Sequence, residues 1–187
     1  MSNIIAKAKK AFQNKIKRLG YDPYGLINHV QEVEKWADYL CSENKKADRE
    51  VVMLGVWLHD FGHYPLPCEI DHAIRSELLA KKFLKKEKYS YSKIDKVLHC
   101  VRAHRCKDVL PDSIEAKIVA CADSASHLTD HVYMDMSRDD KSFNRDFSAY
   151  GKMERDYRDL ALFPEIKKKL TPLYRAWKKL IQEYEKI

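Results

Sequence analysis

The chain has 187 residues, of which 45% are hydrophobic and 34% are charged, and its formal net charge is +7. This balance is typical of a soluble, highly helical protein and excludes an intrinsically disordered chain. The longest apolar run, residues 51–58, is far below the roughly 20 residues that a transmembrane helix needs. The first residues also lack the apolar core of a signal peptide. We therefore expect a cytoplasmic protein with no membrane partner.

The cysteine, glycine and proline contents narrow the fold. Five cysteines form no C-x-x-C pair, which argues against a disulfide framework and against a zinc ribbon. Five glycines and six prolines leave little room for the turns of a sheet, and a 3.6-residue apolar period runs through almost every segment. The sequence therefore predicts an all-α fold, organised as a single-domain helical bundle over residues 1–187.

The first three predicted helices lead to the most apolar stretch of the chain. Helix one is predicted over about residues 3–19, and Asp22 predicts the N-cap of helix two. Helix three is predicted to begin behind Asp48 and to stop at Gly62. Because residues 51–58 are apolar on all sides of this helix, it should lie buried in the middle of the domain.

The remaining helices are predicted from apolar stripes and capping residues. Helix four should run from behind Asp71 to about residue 86. Its inward-facing side chains should be Ile74, Leu78, Leu79 and Phe83. Helix five is predicted over about residues 91–105 and helix six from behind Asp112 to about Met136. Two C-terminal helices are predicted over about 145–161 and 164–185.

Side chains that can bind a metal ion recur on or beside these buried stripes. His59 and Asp60 end the apolar run, where a buried carboxylate is disfavoured unless it is paired or bound to a cation. The structural alternative is a helix end at which His59 caps carbonyl groups and Asp60 meets an arginine. Four more such residues lie on predicted helices: His29, His72, His104 and Asp123. Each alone could be a core residue satisfied by a hydrogen bond, but the set predicts one shared site.

The order of these residues resembles a known signature. His29, the pair His59-Asp60 and then Asp123 are similar to the H…HD…D pattern of the HD superfamily of metal-dependent phosphohydrolases. The resemblance covers roughly residues 24–135.

Further segments extend the resemblance. The stretches around His72 and His104 are similar to the two histidine motifs that lie between HD and the last aspartate. The stretch 115–123 resembles the E-A-K-I…AD segment of small family members. The resemblance implies an HD core over about residues 24–136, with the N-terminal helix and the C-terminal helices packed on it.

The resemblance also implies a set of metal ligands. One divalent ion would be held by His29, His59, Asp60 and Asp123. In some family members a second ion is held by two further histidines, whose positions match His72 and His104, so the number of ions stays open at one or two. The ion itself, among Mn²⁺, Mg²⁺, Fe²⁺, Co²⁺, Ni²⁺ and Zn²⁺, stays open as well.

Two further residues are catalytic candidates beside Asp60. His63 completes a stretch that resembles the HD-x-G-H-x-P segment of deoxynucleotide triphosphohydrolases, which implies a role in phosphate binding or proton transfer. A helix-end histidine is the alternative. Arg75 follows His72 by three residues on the same helical face, so it can point into the same cleft.

Predicted helix six carries a stripe of polar residues whose role the sequence does not decide. Asp123, His127 and His131 repeat every four residues and share one helical face. The two histidines could extend the ligand set, orient Asp123, or pack as polar side chains against the C-terminal helices.

The predicted function is a metal-dependent hydrolase that cleaves a phosphoester or phosphoanhydride bond, with a small phosphate compound, most simply a nucleotide, as substrate. One alternative is a non-catalytic HD module that binds metal or nucleotide. Another is a helical nucleic-acid-binding protein whose histidines are structural, which we do not favour. Oxygenase chemistry at a di-iron site in the same fold is a third, and homo-oligomer formation is left open.

Overall fold

The computed structural model describes residues 3–66, 68–139 and 148–184. In these segments there are nine α-helices, a short 3₁₀ turn and no strand, which confirms the all-α fold class. The helices are α1 (Asn3–Leu19), α2 (Leu26–Glu43), α3 (Arg49–Leu58), α4 (His72–Lys86), α5 (Tyr91–Ala103), α6 (Ile114–Thr129), α7 (Val132–Asp139), α8 (Ala149–Asp159) and α9 (Pro164–Tyr184). None of them is long and apolar enough to cross a membrane.

The chain divides into two compact units. The first is Met1–Ala122 and the second is Asp123–Ile187, so the boundary falls inside α6. The organisation of the whole chain as one domain stays a prediction.

Helix α3 occupies the centre of the first unit, in contact with α1, α2, α4 and α5. Every residue from Val51 to Leu58 is buried, as the apolar run predicted. Gly55 allows close packing here, because a Cβ atom at this position would lie 2.8 Å from Cys100 Cβ and 3.0 Å from Val119 Cγ2. The glycine therefore lets α5 and the first part of α6 approach the backbone of α3.

Two predicted helix ends differ in the structure. Helix α2 begins at Leu26, because Gly25 takes a left-handed conformation with φ of 60° before the helix starts. The Asp22 carboxylate still accepts a hydrogen bond from the Leu26 N–H at 2.8 Å, so it caps the helix from outside. Helix α3 ends at Leu58 and not at Gly62, because the next turn is tighter. This places the His-Asp pair just beyond the helix.

The inward face of α4 was predicted wrongly at one position. Leu78 is 56% exposed. The buried residues of this helix are Ala73, Ser76, Ala80 and Leu84. Small side chains on this face let α4 lie close to α5 and α3, and they turn the larger Leu78 towards solvent. Close packing of the helices therefore decides which side of α4 is buried, and the spacing of its apolar residues alone does not predict it.

The prediction that helix six continues to Met136 is also wrong. Helix α6 ends at Thr129, and the Asp130 carboxylate accepts a hydrogen bond from the Val132 N–H at 2.8 Å. The carboxylate thereby satisfies the first backbone N–H of a new helix, α7, which begins at Val132. The N-terminal helix has the predicted bounds. The C-terminal helices α8 and α9 lie within the predicted ranges, whose residues 145–147 and 185 fall outside the described part of the chain.

The second unit packs α8 against α7, α9 and the 3₁₀ turn Leu160–Leu162. The rings of Tyr157 and Tyr174 stack with centroids 3.7 Å apart. The Trp177 indole N–H donates to the Leu128 carbonyl at 2.9 Å. These three aromatic side chains therefore make packing contacts inside their own unit.

Candidate metal centre

The His59-Asp60 pair follows the last residue of the buried helix α3. His59 is fully buried and Asp60 is 6% exposed. The His59 backbone N–H donates to the Gly55 carbonyl at 2.8 Å, so the residue continues the helical path. Its ring Nδ1–H donates to the Val56 carbonyl at 2.7 Å. This bond fixes the tautomer, because the proton is on Nδ1 and Nε2 carries a lone pair.

His104 repeats this arrangement one helix later. It directly follows α5, is 2% exposed, and donates its Nδ1–H to the Val101 carbonyl at 2.7 Å. Its Nε2 atom therefore also carries a lone pair, and it lies 3.2 Å from Nε2 of His72, the first residue of α4. The two histidines thus come from helices that pack directly on each other.

The carboxylate of Asp60 lies between two groups of imidazoles. Its Oδ2 atom lies 3.5 Å from His59 Nε2 and 3.8 Å from His29 Nε2. Its Oδ1 atom lies 3.3 Å from His72 Nε2 and 4.0 Å from His104 Nε2. Each oxygen therefore faces a different pair of ring nitrogens. We call these residues, together with His63, the histidine cluster: His29, His59, Asp60, His63, His72 and His104.

The electrostatics of the histidine cluster suit a cation. Burial by itself raises the pKa of the Asp60 carboxyl, but the imidazoles of His59, His63 and His72 outweigh burial and hold that pKa well below its usual range. Burial lowers the pKa of His72 to about 3, although the Asp60 charge opposes the shift. An ionised carboxylate and a neutral imidazole are the forms that bind metal ions.

A tight turn after Asp60 brings the imidazole of His63 close to the Asp60 carboxylate. Its backbone N–H donates to the Asp60 carbonyl at 3.0 Å, and its Nδ1 atom lies 3.7 Å from Asp60 Oδ1. The donor atoms of Asp60, His63 and His72 all lie within 4.8 Å of one another, a spacing that a single ion can span. The turn therefore adds a fifth imidazole to the histidine cluster.

Helix α4 closes tightly on this turn. The Gly62 N–H donates to Ser76 Oγ at 2.8 Å. A Cβ atom at Gly62 would lie 2.6 Å from the carbonyl carbon of Arg75, so no larger residue fits without moving α4. The Lys15 ammonium donates to the Phe61 carbonyl from the other side. The segment that carries Asp60 and His63 is thus held by α1 and α4.

The side chain of Arg75 binds backbone carbonyls of the same segment and of the loop that follows it. Its guanidinium donates to the carbonyls of His63, Pro65 and Ile70 at 3.1, 3.2 and 3.0 Å. These bonds fix the loop that follows His63. That Arg75 also binds phosphate stays a prediction.

Two arginines that flank His104 in the sequence have carboxylate partners. Arg102 pairs with Asp108, and Arg105 pairs with Asp71. Asp71 also accepts a hydrogen bond from the Ala73 N–H at 2.9 Å, so it caps the helix that begins with His72. The Arg105–Asp71 pair therefore supports the start of α4.

Asp123 is the first residue of the second unit and is 8% exposed. Within that unit, its Oδ1 atom lies 4.0 Å from His127 Nε2, and His127 Nδ1 lies 3.5 Å from Asp156 Oδ2. His131 is exposed and pairs with Asp135 at 2.7 Å. That Asp123 is a ligand of the first ion stays a prediction.

Sequence reasoning missed the partners of His127. Asp156 Oδ2 accepts a hydrogen bond from the Tyr133 hydroxyl at 2.7 Å, and the Lys152 ammonium lies 3.1 Å from the same oxygen. We call these residues the Asp156 cluster: His127, Tyr133, Lys152 and Asp156. A signal was present, because Asp156 shares one helical face with the buried Met153 and Ala149.

A groove elsewhere in the first unit is separate from the histidine cluster. It has a volume of about 560 Å³ and lies between α1 and α4. Its floor includes Phe61, Leu79 and Phe83, and Lys15 and Lys82 are among the basic residues at its rim. No member of the histidine cluster lines it, so it is not part of the candidate site.

Comparison with models of known protein families gives a match that covers the residues of the candidate site. The HD domain model matches residues 26–127, which confirms the resemblance seen in the sequence. No curated protein and no solved structure matches the chain significantly. The matched segment contains every residue of the histidine cluster.

Proposed function

The chain belongs to the HD domain family, a superfamily of metal-dependent phosphohydrolases, and on this premise we propose that it hydrolyses a phosphoester or phosphoanhydride bond of a nucleotide. The observation that carries the proposal is the position of Asp60, whose two oxygens face separate pairs of ring nitrogens at 3.3–4.0 Å. A carboxylate with this surrounding can serve two cations at once.

We propose that the residues of the histidine cluster hold one or two divalent ions. The first ion would take His29, His59, Asp60 Oδ2 and, from the order of the family signature, Asp123. The second would take Asp60 Oδ1, His72 and His104. Fixed tautomers support both sets, since His59 and His104 each donate Nδ1–H to a backbone carbonyl and so offer Nε2.

The chemistry expected of such a site follows from its composition. A bound divalent ion acts as a Lewis acid towards a phosphoryl oxygen and lowers the pKa of water. The protein contributes rigidity, because the His59-Asp60 pair directly follows helix α3, whose residues 51–58 are all buried in the core. It also contributes a formal net charge of +7, which favours an anionic substrate such as a nucleotide.

The identity of the ion is constrained by its ligands. Imidazole nitrogens outnumber carboxylate oxygens in the histidine cluster, and such sites favour Mn²⁺, Fe²⁺, Co²⁺, Ni²⁺ or Zn²⁺ over Mg²⁺. We propose a transition-metal ion as the working cofactor.

An activity screen tests the proposal. The purified protein, freed of metal and reloaded with each of the six divalent ions, is incubated with nucleoside mono-, di- and triphosphates, and inorganic phosphate or pyrophosphate release is measured. We expect turnover with at least one pair of ion and nucleotide, and none by the Asp60→Ala variant. A wild-type protein that binds metal and hydrolyses no member of the panel would instead support the non-catalytic HD module.

A further inference from the structure

His63 has an unusual environment for a catalytic acid or base. Its Nδ1 atom is buried, and it is the one buried side-chain nitrogen or oxygen in the described part of the chain that has no hydrogen-bond partner. Buried polar groups nearly always have a partner, so an orphaned ring nitrogen calls for an explanation. The closest oxygen of the histidine cluster is Asp60 Oδ1, at 3.7 Å, which is beyond hydrogen-bond distance.

The backbone of His63 is fixed on both sides. Its N–H donates to the Asp60 carbonyl at 3.0 Å, and its carbonyl accepts from the Arg75 guanidinium at 3.1 Å. The adjacent Gly62 is held against α4 by its bond to Ser76. The fold therefore sets the position of the His63 backbone, and the imidazole ring packs edge-on against the Tyr64 ring, with centroids 5.2 Å apart.

The donor atoms around Asp60 Oδ1 lie close enough to that oxygen for one metal ion to bind them together. Bonds of about 2.0–2.1 Å from a tetrahedral ion to nitrogen or oxygen separate neighbouring donor atoms by about 3.3–3.4 Å. Around Asp60 Oδ1 the distances are 3.3 Å to His72 Nε2, 3.7 Å to His63 Nδ1 and 4.0 Å to His104 Nε2. The two Nε2 atoms of His72 and His104 are 3.2 Å apart.

We propose that His63 is a metal ligand, and that its Nδ1 atom is the fourth protein donor to the ion held by Asp60 Oδ1, His72 and His104. The inference rests on the proposed metal site and replaces the role in phosphate binding or proton transfer that the sequence suggested for His63. It explains the missing hydrogen bond, because the lone pair of Nδ1 is directed to the ion.

The donor set has a chemical consequence. Three neutral imidazoles and one carboxylate oxygen favour Zn²⁺, Co²⁺ or Fe²⁺, and they disfavour Mg²⁺, which prefers six oxygen ligands. Four protein donors also complete a tetrahedral shell, the arrangement typical of ions that hold a structure together.

Cobalt titration tests this assignment with a readout independent of activity. Metal-free protein is titrated with Co²⁺ at pH 7.5, and the visible absorption, which is strong for tetrahedral and weak for octahedral Co²⁺, is recorded with the number of ions bound. We expect His63→Ala to lose the strong absorption and to weaken binding of one ion by at least about 100-fold, the upper end of the loss caused by removing a supporting group outside the ligand set. His63→Asn should recover part of the affinity, because its Oδ1 atom can take the place of Nδ1.

The control is His131→Ala, which removes an exposed histidine paired with Asp135 and should leave both absorption and stoichiometry unchanged. Circular dichroism of the metal-free variants shows that each is folded. If His63→Ala binds every ion with wild-type affinity and absorption, the inference is wrong even where activity falls, and the proposed function stands. If the wild type binds no Co²⁺ or other divalent ion, the proposed metal site fails and the inference falls with it.

Discussion

Two buried carboxylates, Asp60 in the first unit and Asp156 in the second, have opposite surroundings. Asp60 is faced by imidazoles, two of which have their protons committed to backbone carbonyls. Asp156 is faced by groups with protons to give, namely the Tyr133 hydroxyl and the Lys152 ammonium. The first surrounding therefore offers lone pairs that a metal ion can use, and the second offers protons that satisfy the carboxylate without a metal ion.

The pKa shifts express the same difference. The neighbouring imidazoles hold the pKa of Asp60 well below its usual range despite burial. Burial raises the pKa of Asp156 to about 6, although Lys152 lowers it, and the Asp123 charge adds to the rise. A carboxylate that stays ionised suits a metal ligand, whereas one that protonates near neutral pH suits an internal hydrogen-bond network. Burial of a carboxylate alone thus does not identify a metal site; the atoms that face it do.

The largest effect should follow from removing the charge of Asp60. Asp60→Asn keeps the shape of the side chain but removes the negative charge that the two sets of imidazoles share. We expect kcat for nucleotide hydrolysis to fall by at least about 10³-fold, the upper range for the loss of a single electrostatic group. Steady-state kinetics with saturating metal measures it. Asp95→Asn, at an exposed position, should retain wild-type activity, and an equal loss in both variants would contradict the prediction.

Metal addition should stabilise the protein through the histidine cluster. At a free concentration of 100 times its Kd, an ion that binds only the folded state raises the free energy of unfolding by about 2.7 kcal/mol. Chemical denaturation of metal-free protein with and without added Co²⁺ measures the gain. Because the Asp156 carboxylate is satisfied by protein donors and needs no metal ion, Asp156→Asn should keep this gain, and Asp60→Asn should lose it. A gain of the same size in Asp60→Asn would place the bound ion elsewhere.

Removing the ammonium group of the Asp156 cluster should destabilise the folded protein. Lys152→Met leaves a buried carboxylate with fewer donors, and we expect a loss of about 2 kcal/mol of unfolding free energy at pH 7. The loss of one partner of a fully buried pair costs about 3–5 kcal/mol, and Lys152 is only partly buried, so the effect should be smaller. Urea denaturation measures it. The control Lys179→Met, on the exposed face of α9, should stay within about 0.5 kcal/mol of wild type.

Stability should also depend on pH, with opposite signs for the two carboxylates. The pKa of Asp156 is about 6 in the folded state, above the value of about 3.9 for an unfolded chain, so the folded state binds more protons between these values. Its contribution to stability is complete below about pH 4 and is lost as pH rises to about 6. The lowered pKa of Asp60 contributes stability above about pH 4 that is lost as pH falls further.

Denaturation of metal-free protein from pH 3 to 7 measures both contributions. Asp156→Asn should flatten the fall in stability between pH 4 and 6, and Asp60→Asn should flatten the loss below pH 4. A wild-type profile that rises between pH 4 and 6, unchanged in Asp156→Asn, would contradict the assignment.

The sequence predicted those features that depend on local chemistry. The bounds of α1, the capping of α3 by Asp48 and the burial of residues 51–58 follow from periodicity and side-chain type, and the structure has them. The HD family followed from the order of its histidines and aspartates. The break after Thr129 was local too, because Asp130 is a good helix cap, and it was missed.

Features that depend on contacts between distant residues were beyond the sequence. Which oxygen of Asp60 faces which imidazole is decided by the packing of α2, α3, α4 and α5. Leu78 lies outside because small residues of α4 take the buried face. The network of Asp156 joins helices α6, α7 and α8, and periodicity cannot show which residues on these helices meet. Similarly, no pattern in the sequence distinguishes a catalytic His63 from a metal ligand, and the proposed ligand role rests on the orphaned Nδ1 atom, which only the structure reveals.

The metal content of the protein tests the central claim most directly. Metal-free wild-type protein is incubated in turn with Mn²⁺, Mg²⁺, Fe²⁺, Co²⁺, Ni²⁺ and Zn²⁺ at pH 7.5, passed through a desalting column and measured by elemental analysis, with Asp60→Asn beside it. We expect one or two ions per wild-type chain for at least one transition metal, and less than half of that for the variant. A wild-type protein that retains none of these ions, or a variant that retains as much as wild type, would contradict a metal centre built around Asp60.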